Sequence, residues 1–515
     1  MLQYLSSVVP PQPARITHYR QTSIILPTRF TSFRPAPINR SIISIIVMKR
    51  SASSEASSPF KRRRRSSTTS LKEVSTPSHA AREYGPQWND WPAPAPAMEE
   101  ARGFIRDIVE NKRSVLIVPD KDADGLSAGT LLYRTLIHMK HPPSLISVHH
   151  LTKGNNIHSD YERNLMDSSG AEKVVVLDQG SRPGRSLVPP LQDQKGKRVL
   201  IVDHHMSDEW PEGSQVLTAC RSSPIATAAL LTYLLLRDLH VKVHEEEAWR
   251  AVVGVIGDLG TTVPKWGIAP WPSELGAVFK RLGSKAFSEA VSGVNAPRRT
   301  AEYNVPKAWD IMLNARSPSD LASNAFLKLC KLDVADETTK WARTPPRFSK
   351  DGRVAVCTVH TGFQIHPVIA TRWSGTLGRK SSKLLMVMCA NTGFHTDGRV
   401  SFSCRIASNL RSLPEGQQPN LIALLNEYAD GIPGFKERVG GDYARGHKEA
   451  TGGIIPKAEY DLLLEEMGVP QPGSTIKSET GVSVSSPSPK KLKVIDPKQA
   501  GGGLDKFFKV KPKVE

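Results

Sequence analysis

Three short runs, 115–118, 174–177 and 199–202, are apolar at every position rather than at alternate ones, and most of their residues are β-branched. A strand that can afford no polar face is covered on both sides, so these runs predict central strands of a parallel sheet. Residues 145–150 predict a further strand. Around them the apolar period changes to that of a helix. Met98, Ala101, Phe104, Ile105, Ile108 and Val109 share one face and predict an amphipathic helix over 98–111. Further helices are predicted over 126–138, 226–236 and 245–256. Strands alternating with helices in this way specify an open α/β sheet. Residues 270–345 read as helices broken at prolines. Beyond them, strands at 354–359, 384–389 and 400–406 and a helix at 421–428 predict a second, smaller α/β unit.

The expected organisation is therefore a disordered region over 1–97, a parallel-sheet domain over 98–265, a helical connector over 266–349, a smaller α/β domain over 350–467 and a disordered basic tail over 468–515. Residues 51–97 are rich in Ser and Pro, as is the tail from about 471, and neither can bury a core.

Polar residues cluster where the apolar runs stop. The first run leads into Asp120-Lys121-Asp122-Ala123-Asp124-Gly125, the second into Asp178-Gln179-Gly180 and the third into Asp203-His204-His205. Gly257-Asp258-Leu259-Gly260 follows a helical stretch. Ligands of open α/β sheets bind at strand C-termini. Each piece alone is weak, since an Asp-x-Asp-Gly is commonly a turn; their occurrence together, in order, is not. Carboxylates crowded like this repel one another unless a cation sits among them. Oxygen donors suit Mg²⁺ or Mn²⁺, and imidazole in the set favours Mn²⁺. Two cations roughly 3.5–4 Å apart would activate a water and neutralise a phosphoryl group. The expected roles are Asp122 and Asp120 on one ion, Asp124, His204 and Asp258 on the other and Asp178 as bridge. Asp203, also counted with the metal residues, would orient the cluster, and His205 would face the substrate phosphate.

In these motifs the chain resembles the DHH phosphoesterases, named for the Asp203-His204-His205 triplet, and within them the RecJ-like branch with a DHHA1 domain, archaeal RecJ-like nucleases being most similar. Asp122 to Leu126 match the first motif, Leu177 to Gly180 the second and Asp258 the fourth, and the resemblance spans about 98–460. It implies that Gly446-His447-Lys448, with Gly452 and Gly453, forms a loop of the second domain that holds a nucleic-acid chain, beside Arg405. One departure stands out: the family shows an unbroken glycine run before the histidine, whereas here Asp442 to Arg445 separate Gly440-Gly441 from Gly446.

The resemblance implies a metal-dependent exonuclease that degrades single-stranded nucleic acid, DNA first and from the 5′ end, to nucleoside monophosphates. A hydrolase of short oligoribonucleotides or dinucleotides would use the same metals. A non-catalytic replication scaffold descended from RecJ-like proteins would have lost the ligands that are all present here, and related pyrophosphatases have a different C-terminal domain.

Net charge of +19 agrees with an anionic partner. No run reaches the roughly 20 apolar residues of a membrane span. The five cysteines, Cys220, Cys330, Cys357, Cys389 and Cys404, have no metal spacing and fit reduced thiols. The first acid is Glu55, and the Arg-rich start before it has the composition of a mitochondrial transit peptide, unless translation begins at Met48. Lys49-Arg50 and the run Lys61, Arg62, Arg63, Arg64, Arg65 form a two-part basic cluster of the kind read by a nuclear import receptor, so the nucleus is the expected compartment. Leu504, Phe507 and Phe508 put three apolar groups on one helical turn, resembling a peptide that docks on the replication sliding clamp.

Overall fold

The structure is a computed structural model that describes residues 91–191, 197–378, 382–440 and 443–470. The basic cluster at Lys49, Arg50 and 61–65 and the Leu504, Phe507, Phe508 segment lie outside the described residues.

The predicted parallel sheet is present. Its strands are β1 (Val115–Pro119), β2 (Ile146–Val148), β3 (Lys173–Leu177), β4 (Val199–Asp203) and β5 (Gln215–Thr218), in the order β2-β1-β3-β4-β5 with every pairing parallel. The three runs apolar throughout are the three central strands, buried at every position. The helices of this unit are α1 (Ala95–Glu110), α2 (Ala123–His138), α3 (Asp160–Ser168), α4 (Ala228–Leu236) and α5 (Ala248–Leu259). One face of the sheet packs on α1, α2, α4 and α5 through Ile105, Leu126, Leu131, Leu230 and Val252; the other is covered around α3 by Leu151, Ile157, Met166 and Leu187.

Next come α6 (Ser273–Leu282), α7 (Ser284–Val294), α8 (Val305–Asn314), α9 (Pro318–Ser323) and α10 (Ala325–Trp341). These helices were expected to be a connector, yet Leu275, Phe287, Val294, Trp309, Met312 and Leu327 belong to the same apolar core as α2 and α5. Farther along α10, Val334 and Trp341 pack instead against the core beneath the next helix, α11 (His366–Leu377), in the second sheet.

The second sheet contains β6 (Arg347–Phe348), β7 (Val354–Val359), β8 (Met386–Asn391), β9 (Arg399–Ile406), β10 (Arg445–His447) and β11 (Ala450–Pro456), in the order β10-β11-β9-β8-β7-β6. β7 and β8 are parallel, and the other pairs are antiparallel. α11 (His366–Leu377) covers one face, while α12 (Leu421–Asp430) and α14 (Lys457–Glu466) pack on the other and α13 (Phe435–Val439) adds Phe435 to that core.

The expected tail boundary at 97 moves. Trp91 donates its indole N–H to the Pro224 carbonyl at 2.8 Å and meets Trp271 edge-on, while Pro92 and Ala93 are buried, so order reaches at least Trp91. At the other end Val469 packs into the second core, beyond the expected limit at 467. The five cysteines are free and buried. Among the described residues no helix is long and apolar enough to cross a membrane.

Leu131, fully buried on α2, tests how far the first core carries the fold: Leu131→Ala is expected to cost about 2–5 kcal/mol. The urea midpoint should fall with an unchanged slope.

Candidate metal centre

The C-terminal ends of β1, β3 and β4 bring the acidic motifs together. Asp120 follows β1, and its N–H bonds to the Leu177 carbonyl at 3.0 Å. Asp122 is the N-cap of α2; its side chain accepts the N–H groups of Asp124 at 3.1 Å and Gly125 at 3.3 Å. The helix therefore starts where the chemistry does. Asp124, one residue into the helix and buried, is held from the far side by the N–H groups of Ala228 at 2.8 Å and Ala229 at 3.1 Å. That approach depends on Gly254 of α5, where a Cβ would lie 2.6 Å from Asp124 Oδ1 and 2.3 Å from the Ala229 Cβ.

Asp178 follows β3 with φ of 63°, a left-handed conformation that costs on the order of 1–3 kcal/mol outside glycine. Its Oδ1 is buried without a hydrogen-bond partner. His204 Nε2 lies 3.4 Å from this oxygen, 3.4 Å from Asp258 Oδ2 and 3.9 Å from Asp124 Oδ2. The donor atoms form three overlapping groups of cation-binding size: Asp120, Asp122 and Asp178; Asp124, His204 and Asp258; and Asp178, His204 and His205. Asp178 belongs to the first and the third, and His204 to the second and the third. An orphaned buried oxygen, carboxylates on every side and a neighbouring imidazole fit divalent-cation binding.

Asp203 was expected among the ligands as well as in an orienting role. Its Oδ1 accepts the His204 N–H at 2.8 Å, the His205 N–H at 3.2 Å and His205 Nδ1 at 2.8 Å, while Oδ2 accepts the Ser181 N–H at 3.2 Å. Both oxygens are thus occupied by protein donors, and Asp203 joins none of the ligand groups. Three of these bonds reach the two histidines. A further set of donors, His138, Glu246 and Glu247, falls within ligand range, but Arg134 at 2.8 Å and Arg250 at 2.7 Å already hold Glu247.

Charge divides the cluster. Burial, with Asp258 and Asp122 adding repulsion, pushes Asp124 up to about 8. Burial and the surrounding carboxylates raise Asp178 well above the usual carboxylate range. At Asp122 burial acts upward, but Arg298, Lys121 and the α2 N–H groups outweigh it and hold the carboxyl low. Burial also opposes ionisation of Asp203, yet the His205 hydrogen bond keeps it at about 2. The same hydrogen bond raises His205 to about 9, whereas burial and the charge on His205 lower His204. Two adjacent imidazoles are thereby set apart: a neutral one suited to a metal, and a cationic one that is 60% exposed.

The remaining predicted residues lie in the second unit. The Gly446-His447 segment is an edge strand rather than a loop: β10 pairs with β11, with Arg445 opposite Gly452 and His447 opposite Ala450. Gly452 is required because a Cβ would stand 2.4 Å from the Phe402 carbonyl oxygen. Gly453 pairs with Phe402, and Lys448 sits in the turn, its carbonyl accepting the Leu421 N–H at 2.7 Å. Arg405 lies opposite Ala450 on β9, donates to Ser403 Oγ at 2.7 Å and lines a groove of about 520 Å³ with Arg411 and Glu449. His158 lies between the units electrostatically: burial, then Arg182, Arg163 and Arg445, lower it to about 3, while Asp203 acts in the opposite sense.

Sequence reasoning missed Asn295, Arg298 and His158. Asn295 Oδ1 accepts the Ala123 N–H at 3.1 Å, and Arg298 Nη2 lies 3.8 Å from Asp122 Oδ2. Nothing in an Asn-Ala-Pro-Arg-Arg break between helices announces a partner more than 170 positions upstream. His149 and His150, read as structural, are so placed: His149 bonds Glu162 at 2.7 Å, and His150 packs edge-on to Trp309.

Comparison with known proteins identifies residues 114–255 as matching the DHH family, N-terminal domain. Among solved structures the chain is similar to RecJ from Thermus thermophilus in complex with Mn²⁺, at 19% identity and a TM-score of 0.49, covering 72% of this chain and 54% of that one. It is similar to an exonuclease RecJ bound to manganese at 17% identity and a TM-score of 0.48, covering 73% and 94%. It is also similar to a DHH domain described as a member of the s1p family of ribosomal proteins, at 13% identity and a TM-score of 0.51, covering 72% and 89%. The chain spans about half the length of the Thermus protein. At such identities the likeness is one of fold. No curated protein matches the chain.

The raised carboxyls give a pH dependence with a fixed sign. Asp124 and Asp178 hold protons in the folded protein that the unfolded chain releases above its ordinary carboxylate pKa, so metal-free stability falls as pH rises from about 4 towards about 8. Divalent cations bind the deprotonated carboxylates. The rise in Tm caused by Mn²⁺ is therefore expected to be larger at ~pH 8 than at ~pH 6, and scanning calorimetry checks it. Gly254→Val should abolish the Mn²⁺-dependent rise.

Proposed function

We propose that this protein is a metal-dependent phosphodiesterase that hydrolyses single-stranded nucleic acid, DNA in the first place and from the 5′ end, to nucleoside monophosphates. The observation that carries this reading is the buried, unpartnered Asp178 Oδ1, set at a strained residue within the overlapping donor groups. Asp120, Asp122 and Asp178 would hold one cation, Asp124, His204 and Asp258 a second, with Asp178 shared. Bound there, Mn²⁺ or Mg²⁺ would lower the pKa of a coordinated water and neutralise charge on the phosphoryl group.

The remaining work falls to the chain's own residues. Asp203 fixes His205 through Nδ1 and keeps it protonated, which leaves an exposed cationic ring to donate to a phosphate oxygen. Asp203 and its hydrogen bond to the His204 N–H keep the neighbouring ring in register. Arg163, Arg182 and Arg445 give the wall around His158 a charge complementary to a phosphodiester chain. Arg405 and the β10–β11 hairpin are the proposed contact for nucleotides further along the strand.

End-labelled DNA and RNA single strands of graded length, incubated with protein and Mn²⁺ or Mg²⁺, test the proposal. A ladder of shortening products on long strands is the expected result. Cleavage confined to dimers through pentamers would replace it with a hydrolase of short oligonucleotides, and no cleavage of any strand by metal-loaded protein would leave a scaffold. Substitutions one layer away from a metal typically cost about 10–100-fold, so Asp178→Ala, at the shared position, is expected to exceed that loss in kcat. Arg405→Ala should raise KM for long strands with a smaller change in kcat.

A further inference from the structure

The turn after α7 touches both the metal centre and the second sheet. On one side Asn295 Oδ1 accepts the N–H of Ala123, the residue between Asp122 and Asp124, and also the Nε–H of Arg298 at 3.3 Å. Arg298 in turn approaches the Asp122 carboxylate. On the other side the Arg299 carbonyl accepts the Gln364 N–H at 2.9 Å, and the Cβ direction of Gly362 meets the Ala301 Cβ at 3.0 Å.

Lys153 closes this contact. Its ammonium donates to the carbonyls of Ala301 and Gly362, each at 2.8 Å, and stands 4.6 Å from the centre of the Phe394 ring. One side chain thus ties together the loop before α3, the turn and the second unit. The loop is itself fixed, because the buried Glu162 carboxylate accepts His149 Nε2, the Thr152 N–H at 3.0 Å and Asn155 Nδ2 at 2.9 Å. Next to Lys153, Gly154 faces the His395 ring so closely that a Cβ would overlap it.

We propose that residues 295–301 are a coupling element, with Lys153 as a positioning residue that pins them to the second unit, so that the seating of that unit sets the cation affinity of the Asp122-Ala123-Asp124 segment. The inference rests on the metal-centre reading and adds to it a route by which substrate held on the second sheet acts on the metals. Electrostatics alone predicts the opposite sign for a substitution at Lys153, since removing a positive charge favours a cation. Weakened binding therefore reports on position rather than on field.

The test uses full-length protein and Mn²⁺ without substrate, with free Mn²⁺ followed by electron paramagnetic resonance. Lys153→Met and Asn295→Ala are each expected to weaken Mn²⁺ binding about 10-fold, the scale of lost support around metal ligands. The double variant should be no weaker than Asn295→Ala alone, because both act through one turn. Lys153→Gln, which keeps a donor, should give a smaller loss, and it carries the test if Lys153→Met fails to fold. Wild-type affinity in the Lys153 variants, or a double variant whose loss is the product of the two single losses, overturns the proposal. Mn²⁺ binding without nuclease activity would sink only the substrate assignment, whereas wild-type protein that binds no Mn²⁺ would sink the metal centre and the coupling together.

Discussion

Repulsion among carboxylates packed at the ends of three buried strands is the constraint around which the first unit is built. Asp124 and Asp178 are almost wholly removed from water, and each lies in the field of other acids. Such an assembly persists only because the surroundings over-determine it. Backbone N–H groups from the start of α4 grip Asp124, the first turn of α2 grips Asp122, and the Asp203–histidine hydrogen bonds fix the opposite side. Stability and chemistry are therefore written in the same hydrogen bonds. The helix that carries Asp124 and is capped by Asp122 is also buried along most of its length in the first core, which anchors the acids against their own repulsion.

The parts of this arrangement that could be read in the sequence are those that repeat a period or stand at the end of one. Central strands 115–118, 174–177 and 199–202 were legible because burial on both faces leaves no polar position. The edge strand β5, Gln-Val-Leu-Thr, is half-covered and carries too short an alternation to be seen. Helix α1 was found by its apolar face but begins three residues earlier than that face suggested, because its start is set by Pro94 at the N-cap and Pro96 in the first turn, which carry no apolar period. Helix α5 was expected from residue 245, yet Val243–Glu247 form a wider π turn in which Glu247 is drawn inward by Arg134 and Arg250.

For the site, the acidic and imidazole residues were legible because strand ends mark themselves. The division of labour among them was less so. Asp203 has the same residue type and placement as the others, and only the donors around it show that its oxygens are taken. Asn295 and Arg298 carry no sequence signal, since their role depends on a helix hairpin folding back onto α2. The Gly-His motif was recognised as a unit but assigned to a loop; antiparallel pairing with β11 makes it a strand, and Gly446 is needed for close backbone approach to β11, as Gly452 is for the approach of β11 to β9.

The order of the second sheet has a mechanical consequence. The chain enters it from α10 at β6, and the Gly-His hairpin forms the opposite border at β10. Neighbouring strands stand ~4.8 Å apart, so five spacings make a lever arm of ~24 Å. A rotation of about one degree at the entry strand would sweep the hairpin through ~0.4 Å, a sizeable part of the ~0.5 Å tolerance of a productive geometry. The contacts made near Lys153 fall by contrast at Gly362, after β7, and at Phe394 and His395, after β8, on a shorter arm. Small adjustments there would be geared up at the outer margin.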